Sequence, residues 1–153
     1  MLPSGIYWIN PSGAANAQFR AYCDMDDKDE NGNAGWTVFQ RREPSTSSLS
    51  FNQNLATFKA GFGFLSKSFW LGNDQLTALT AASSTMLRVD MLYKSTLYKA
   101  NYGNFAVGTA STNYRLTISG YSYDTTYWTA PGFRVGDIAP RLDSCGARID
   151  TFN

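Results

Sequence analysis

Gly35-Trp36-Thr37-Val38-Phe39-Gln40-Arg41-Arg42 decides the fold class. Aromatic and β-branched residues alternate with polar ones from Trp36 to Arg41, the pattern of a half-buried strand. Upstream, Gln18 to Cys23 reads as a second strand, and the polar acidic stretch from Asp26 to Asn33 as the turn between them. The spacing predicts an antiparallel hairpin. Earlier still, Ile6-Tyr7-Trp8-Ile9 forms a strand that Asn10-Pro11-Ser12-Gly13 stops as a turn.

Downstream, Ser45 to Ser50 reads as a loop. Asn54 to Lys59 reads as a short helix, with Leu55 and Phe58 one turn apart and Gly61 to end it. Asn73 suits the N-cap of a second helix over Gln75 to Thr80, which pairs Leu76 with Leu79. The clearest strand is Thr85 to Tyr93. Leu87, Val89, Met91 and Tyr93 share one face, while Arg88 and Asp90 turn the other toward water or a buried partner. Further strands are expected over Leu97 to Tyr102 and over Tyr114 to Ser119, the latter with Tyr114, Leu116 and Ile118 on one face. From Tyr121 onward the patterning dissolves among Asp, Thr and Ser, punctuated by Pro131-Gly132 and Ala139-Pro140.

Composition narrows the chemistry. At 153 residues with 43% hydrophobic and 16% charged residues, the chain suits one folded domain. Its net charge of +1 gives no field for nucleic acid or an anionic membrane. No apolar run approaches the roughly twenty residues that span a bilayer, and no signal peptide opens the chain. Histidine is absent, which removes Ser-His-Asp hydrolysis, Cys-His chemistry and most zinc sites. No nucleophile–base pair or phosphate-cradling glycine loop appears either, so no catalytic residue and no enzyme is expected. The aromatic share is high: ten Phe, nine Tyr and four Trp. Most are expected in the core, where they supply large rigid area.

Asp27-Lys28-Asp29-Glu30-Asn31-Gly32 mimics the first half of a helix-flanked calcium loop, yet the bidentate carboxylate needed at its end is Val38. A hairpin turn centred on Asn31-Gly32 is the better reading. Asp137 and Asp143 offer carboxylate oxygen in the late loop, but with Arg141 between them they read as solvated acids. Cys23 and Cys145 pair with each other, stay free, or each answer a partner outside this chain. Tyr121, Tyr123, Tyr127 and Trp128 form either a sugar-stacking surface or the seam of a further subdomain.

Together the motifs resemble the fibrinogen C-terminal domain. They are Ser4-Gly5-Ile6-Tyr7, Tyr22-Cys23-Asp24-Met25, the Gly35–Arg42 stretch, Phe58-Lys59-Ala60-Gly61-Phe62-Gly63 and Phe69-Trp70-Leu71-Gly72-Asn73-Asp74. Leu87-Arg88-Val89-Asp90, Asn113-Tyr114-Arg115-Leu116 and Gly120-Tyr121-Ser122 continue them in order. The resemblance implies an α+β fold over residues 4–153. A small N-terminal sheet subdomain (4–41) would be followed by a central antiparallel sheet with short flanking helices (42–122), then by a divergent remnant of the ligand-pocket subdomain (123–153).

By the same resemblance Cys23 and Cys145 lack their usual partners within this chain, as in a chain cut at both ends. Asp137 falls where the family's calcium run opens, but Ala139 and Arg141 replace its ligands, so no metal and no cofactor is expected. The ligand pocket would be largely missing, and the ligand-binding residues are unknown. Aromatic surface around Tyr121 to Trp128 and Phe133 would then be exposed and prone to aggregation. The implied function is non-enzymatic recognition by a secreted protein. It would be lectin-like toward acetylated sugars or microbial glycans, or a protein-binding module of the matrix or of a receptor ligand. Partners would be a glycan or a cell-surface or matrix protein, with homo-oligomers formed through regions outside this chain.

Overall fold

The computed structural model describes residues 2–26, 35–44, 49–81, 85–93 and 95–123. Within them lie three antiparallel sheets of three strands each. The Asp27–Gly32 turn, Cys145, Asp137, Asp143, and the aromatic positions Tyr127, Trp128 and Phe133 fall outside the described residues.

The first sheet joins β1 (Gly5–Ile9), β2 (Phe19–Asp24) and β3 (Trp36–Val38) in that order. Five pairs from Gly5↔Cys23 to Ile9↔Phe19 fix the β1–β2 register. The turn after β1 closes where expected. Gly13 N–H donates to Asn10 C=O, and Asn10 Nδ2 donates to Ala14 C=O at 3.0 Å.

The strand expected from Trp36 to Arg41 is not continuous. It breaks at Phe39, after which β4 (Gln40–Arg41) leaves the first sheet and pairs with β6 (Phe69–Trp70), whose other neighbour is β5 (Phe62–Gly63). The cause is visible at Phe39 itself. Its carbonyl accepts the Leu71 N–H at 2.8 Å, while its ring sits edge-on to Trp70 and stacks on Phe105 with centroids 5.8 and 5.7 Å away. Its backbone thus joins the second sheet while its ring packs on the third.

Helix α1 (Leu55–Ala60) begins at an Asn54 N-cap, whose side-chain oxygen accepts the Thr57 N–H at 2.9 Å. It ends at Gly61 with φ 87°, where a Cβ would run into the Leu71 carbonyl. Helix α2 (Asn73–Ala81) differs from expectation at its start. Asn73 lies inside the helix, and its side chain accepts the Trp70 indole N–H at 3.1 Å instead of capping. Trp70 also donates to Phe58 C=O at 3.0 Å, so a fully buried indole ties both helices to the second sheet.

The third sheet is a meander of β7 (Leu87–Tyr93), β8 (Thr96–Val107) and β9 (Leu116–Tyr123). Helix α2 lies against β8 through two hydroxyls. Thr77 donates to Gly108 C=O at 2.8 Å, and Thr80 accepts the Val107 N–H at 3.0 Å. β8 extends five residues past the expected end at Tyr102. Its buried residues are Tyr98, Ala100 and Tyr102, then Phe105, so the inward phase changes across Gly103. The core runs from Ala21 through Phe39, Phe69, Trp70, Leu76 and Leu87 to Phe105.

Candidate functional site

The glycine pair that changes the phase of β8 also shapes the aromatic end of β9. Gly103 lies opposite Gly120, between the pairs Tyr102↔Tyr121 and Asn104↔Ser119. Gly120 has φ 71°, and a Cβ there would come within 3.3 Å of the Gly103 nitrogen. The left-handed backbone and this tight approach both favour glycine at 120. Beyond the crossing, Tyr121 meets Tyr102 with ring centroids 5.2 Å apart and planes tilted by 56°. Tyr102 is buried beside Leu87, whereas Tyr121 keeps 37% of its surface exposed. The result is an aromatic pair with its inner ring buried and its outer ring partly exposed.

A strained loop adjoins the same ribbon. Between β8 and β9 a single 3₁₀ turn (Ala110–Thr112) ends at Asn113 and Tyr114, with φ of 54° and 53°. Left-handed backbone is costly for an aromatic residue. It brings the Tyr114 hydroxyl to Asp74 on α2, to which it donates at 2.6 Å. That hydrogen bond is the main reason the phenol is pushed up to about 12, with desolvation second. The shared face expected for Tyr114, Leu116 and Ile118 therefore holds for the latter two only. Leu116 and Ile118 pack on the core, and Tyr114 precedes the strand.

At the other side of the third sheet, Arg88 is the joint to the first. Its guanidinium meets Asp24 at 2.8 Å and Asp90 at 3.2 Å, and lies 4.7 Å from the centre of the Trp36 ring. The buried-partner alternative for the β7 charges is thus the one adopted. Arg41 plays a similar part within the frame, 4.1 Å above Tyr22 while donating to Leu65 C=O. The sequence pattern showed the alternation of Arg88 and Asp90 but not Asp24, which lies 64 positions away.

Cys23 is buried and unbonded, and burial pushes its thiol up, so it is a poor nucleophile at neutral pH. Among the described residues no group of three or more Cys, Asp or Glu could hold a metal ion, and no helix is long and apolar enough to cross a membrane. What the described surface offers is exposed aromatic area: Trp8, Phe64 and Tyr121.

An α+β framework of short antiparallel sheets, locked by aromatic rings and carrying aromatic side chains at its rim, is the class of domain these features define. The family described as fibrinogen beta and gamma chains, C-terminal globular domain, matches residues 2–130. The chain belongs to that family. It is 39% identical over 123 residues to fibrinogen-like protein A of Apostichopus parvimensis, covering 78% of this chain and 40% of that protein. The fibrinogen-like globe domain of human ANGPTL2 superposes with a TM-score of 0.70 at 30% identity, over 79% of this chain and 53% of that one. Lamprey fibrin D-dimer, solved with the peptide ligand Gly-His-Arg-Pro-amide, gives a TM-score of 0.69 at 35% identity, over 81% and 38%. The chain thus spans well under two thirds of the length of the relatives it matches.

Proposed function

We propose that this chain is the framework of a non-enzymatic, extracellular recognition module that docks a protein or peptide segment by surface complementarity. The observation that carries the reading is its likeness to a fibrin globe solved with a peptide ligand. The Tyr102–Tyr121 platform supports it, because a partly exposed ring held against a buried one presents apolar area with little entropy left to lose. A glycan is the second reading, favoured by the same ring, since an exposed tyrosine face also stacks on a sugar. The cofactor-free chemistry and the extracellular setting belong to the proposal.

The test has two arms, each run on the native chain and on Tyr121→Ala. A displayed random-peptide library is panned against the immobilised protein, and the protein is applied to N-acetylglucosamine resin. The expected result is an enriched peptide family whose binding falls about tenfold in Tyr121→Ala, a loss of ~1.4 kcal/mol, with no retention on the sugar. Retention released by free N-acetylglucosamine, without peptide enrichment, would transfer the proposal to lectin function. Peptide binding indifferent to Tyr121 would remove the platform from it.

A further inference from the structure

β1 is the one long strand among those described that has both an open side and no device guarding it. It has a single strand neighbour, β2, and its sequence Gly5-Ile6-Tyr7-Trp8-Ile9 carries no charge and no proline. Its register is unbroken over all five pairs, so no bulge twists it away. The other edges differ. β3, the opposite edge of the same sheet, is three residues long, β4 and β5 are two, β7 carries Arg88 and Asp90, and β9 is kinked at Gly120. Short length, charge and distortion are how sheet edges avoid pairing with another strand. β1 has none of these.

Its side chains also state what fits. Trp8 is 67% exposed and makes no ring contact or hydrogen bond among the described residues. Across the ladder it opposes Arg20, and Ile6 opposes Tyr22 on the same face. We propose that a second copy of this chain pairs antiparallel with β1 about a two-fold axis, with Tyr7 opposite its own counterpart. This register matches all five residues of one strand with all five of the other. It sets each Trp8 against the second copy's Ile6, an aromatic–β-branched pair of the kind that stabilises sheets. Each row then reads Arg20, Trp8, Ile6 of the second copy and Tyr22 of the second copy, with Trp8 covered on both sides.

Charge agrees with self-association. The two Arg20 side chains stand on strands three spacings apart, about 14 Å, beyond a Debye length of about 8 Å at physiological salt. The net charge of +1 per copy adds little repulsion. Because the strand is open on one side only, the contact is isologous and closes at two copies. The two first sheets become one of six strands. This pairing uses residues present in the chain, whereas the sequence pointed to oligomers through regions outside it.

Sedimentation equilibrium on the purified 153-residue chain tests the proposal. The mass is expected to rise from 16.9 kDa toward twice that value as concentration passes through the micromolar range, as about −8 kcal/mol of association would give. Trp8→Lys, at an exposed position, should remain monomeric throughout, with a thermal transition equal to that of the native chain at concentrations where the latter is monomeric. Thr117→Lys, on exposed β9, should dimerise like the native chain. Hydrogen exchange supplies a readout independent of any variant: β1 amides should gain protection with concentration while β9 amides do not. A native chain that stays monomeric, a Trp8→Lys chain that still dimerises, equal loss in both variants, or β1 protection independent of concentration would each overturn it. So would β1 protection that appears only when a foreign peptide is added.

Discussion

The first and second sheets meet the third in opposite ways. The first is held by a charged joint: Arg88 reaches from β7 to Asp24, braces on Asp90 and lies against Trp36. The second is held by stacked rings, Phe39 on Phe105 and edge-on to Trp70. Aromatic packing gains in proportion to area and tolerates small shifts. A guanidinium between two carboxylates gains only if each hydrogen bond is made at the right distance. The contrast assigns stability mainly to the aromatic joint and the fixed placement of β2 and β3 mainly to the ionic one.

The sharpest way to break this contrast is Phe39→Ala. The substitution empties a buried site where the chain passes between sheets and two aromatic contacts meet, and should cost ~3–5 kcal/mol. Urea denaturation would show the midpoint collapsing, with all sheets lost together. A cost below about 1 kcal/mol would mean that Phe39 is only a passage between strands.

Arg88→Met is the matching experiment on the charged joint. It keeps most of the apolar stem while leaving Asp24 and Asp90 without the guanidinium. Because the three side chains are 12 to 22% exposed, water relieves part of the penalty, and about 2 kcal/mol is expected. Combining it with Asp24→Asn should cost less than the sum of the two changes, since both remove one interaction. Amide exchange in β2 and β3 should accelerate more than in β8. Uniform acceleration would show that the joint stabilises the whole molecule without placing the first sheet.

These two joints also explain what could be read from the sequence. The strands β1, β2 and β7 and the Asn54 and Gly61 ends of α1 were legible, because period-two alternation and capping chemistry act over a few neighbouring residues. The break at Phe39 was not, because alternation continues across it and only the distant Leu71 and Phe105 reveal that the backbone changes sheets. The pattern of β8 stops at Tyr102 because its buried face changes across Gly103, which lies opposite Gly120 on the neighbouring strand. Of the candidate site, the motif order pointed to the family and Tyr121 to an aromatic surface. The Tyr102 support beneath it depends on cross-strand register, which local pattern does not encode. Cys23 stands out in the sequence for its missing partner, and in the fold it is a buried residue of β2, the middle strand of the first sheet.

The smallest expected effect separates strain from stability at the third sheet's outer loop. Tyr114 holds a left-handed backbone and donates its phenol proton to Asp74. Ionising the phenol would set two negative charges in contact, and the folded pKa is therefore raised from 10.0 to about 12. The hydrogen bond contributes fully below the unfolded pKa, and its contribution fades as pH rises through the folded value. Ultraviolet titration should show one tyrosine ionising about two units late, while the midpoint of thermal unfolding at neutral pH barely moves in Tyr114→Phe. Asp74→Asn should return that late component toward the ordinary range, because the neutral amide no longer repels the phenolate. If the late component persists in Asp74→Asn, another group raises Tyr114, and the hydrogen bond to α2 is not what holds the strained loop in place.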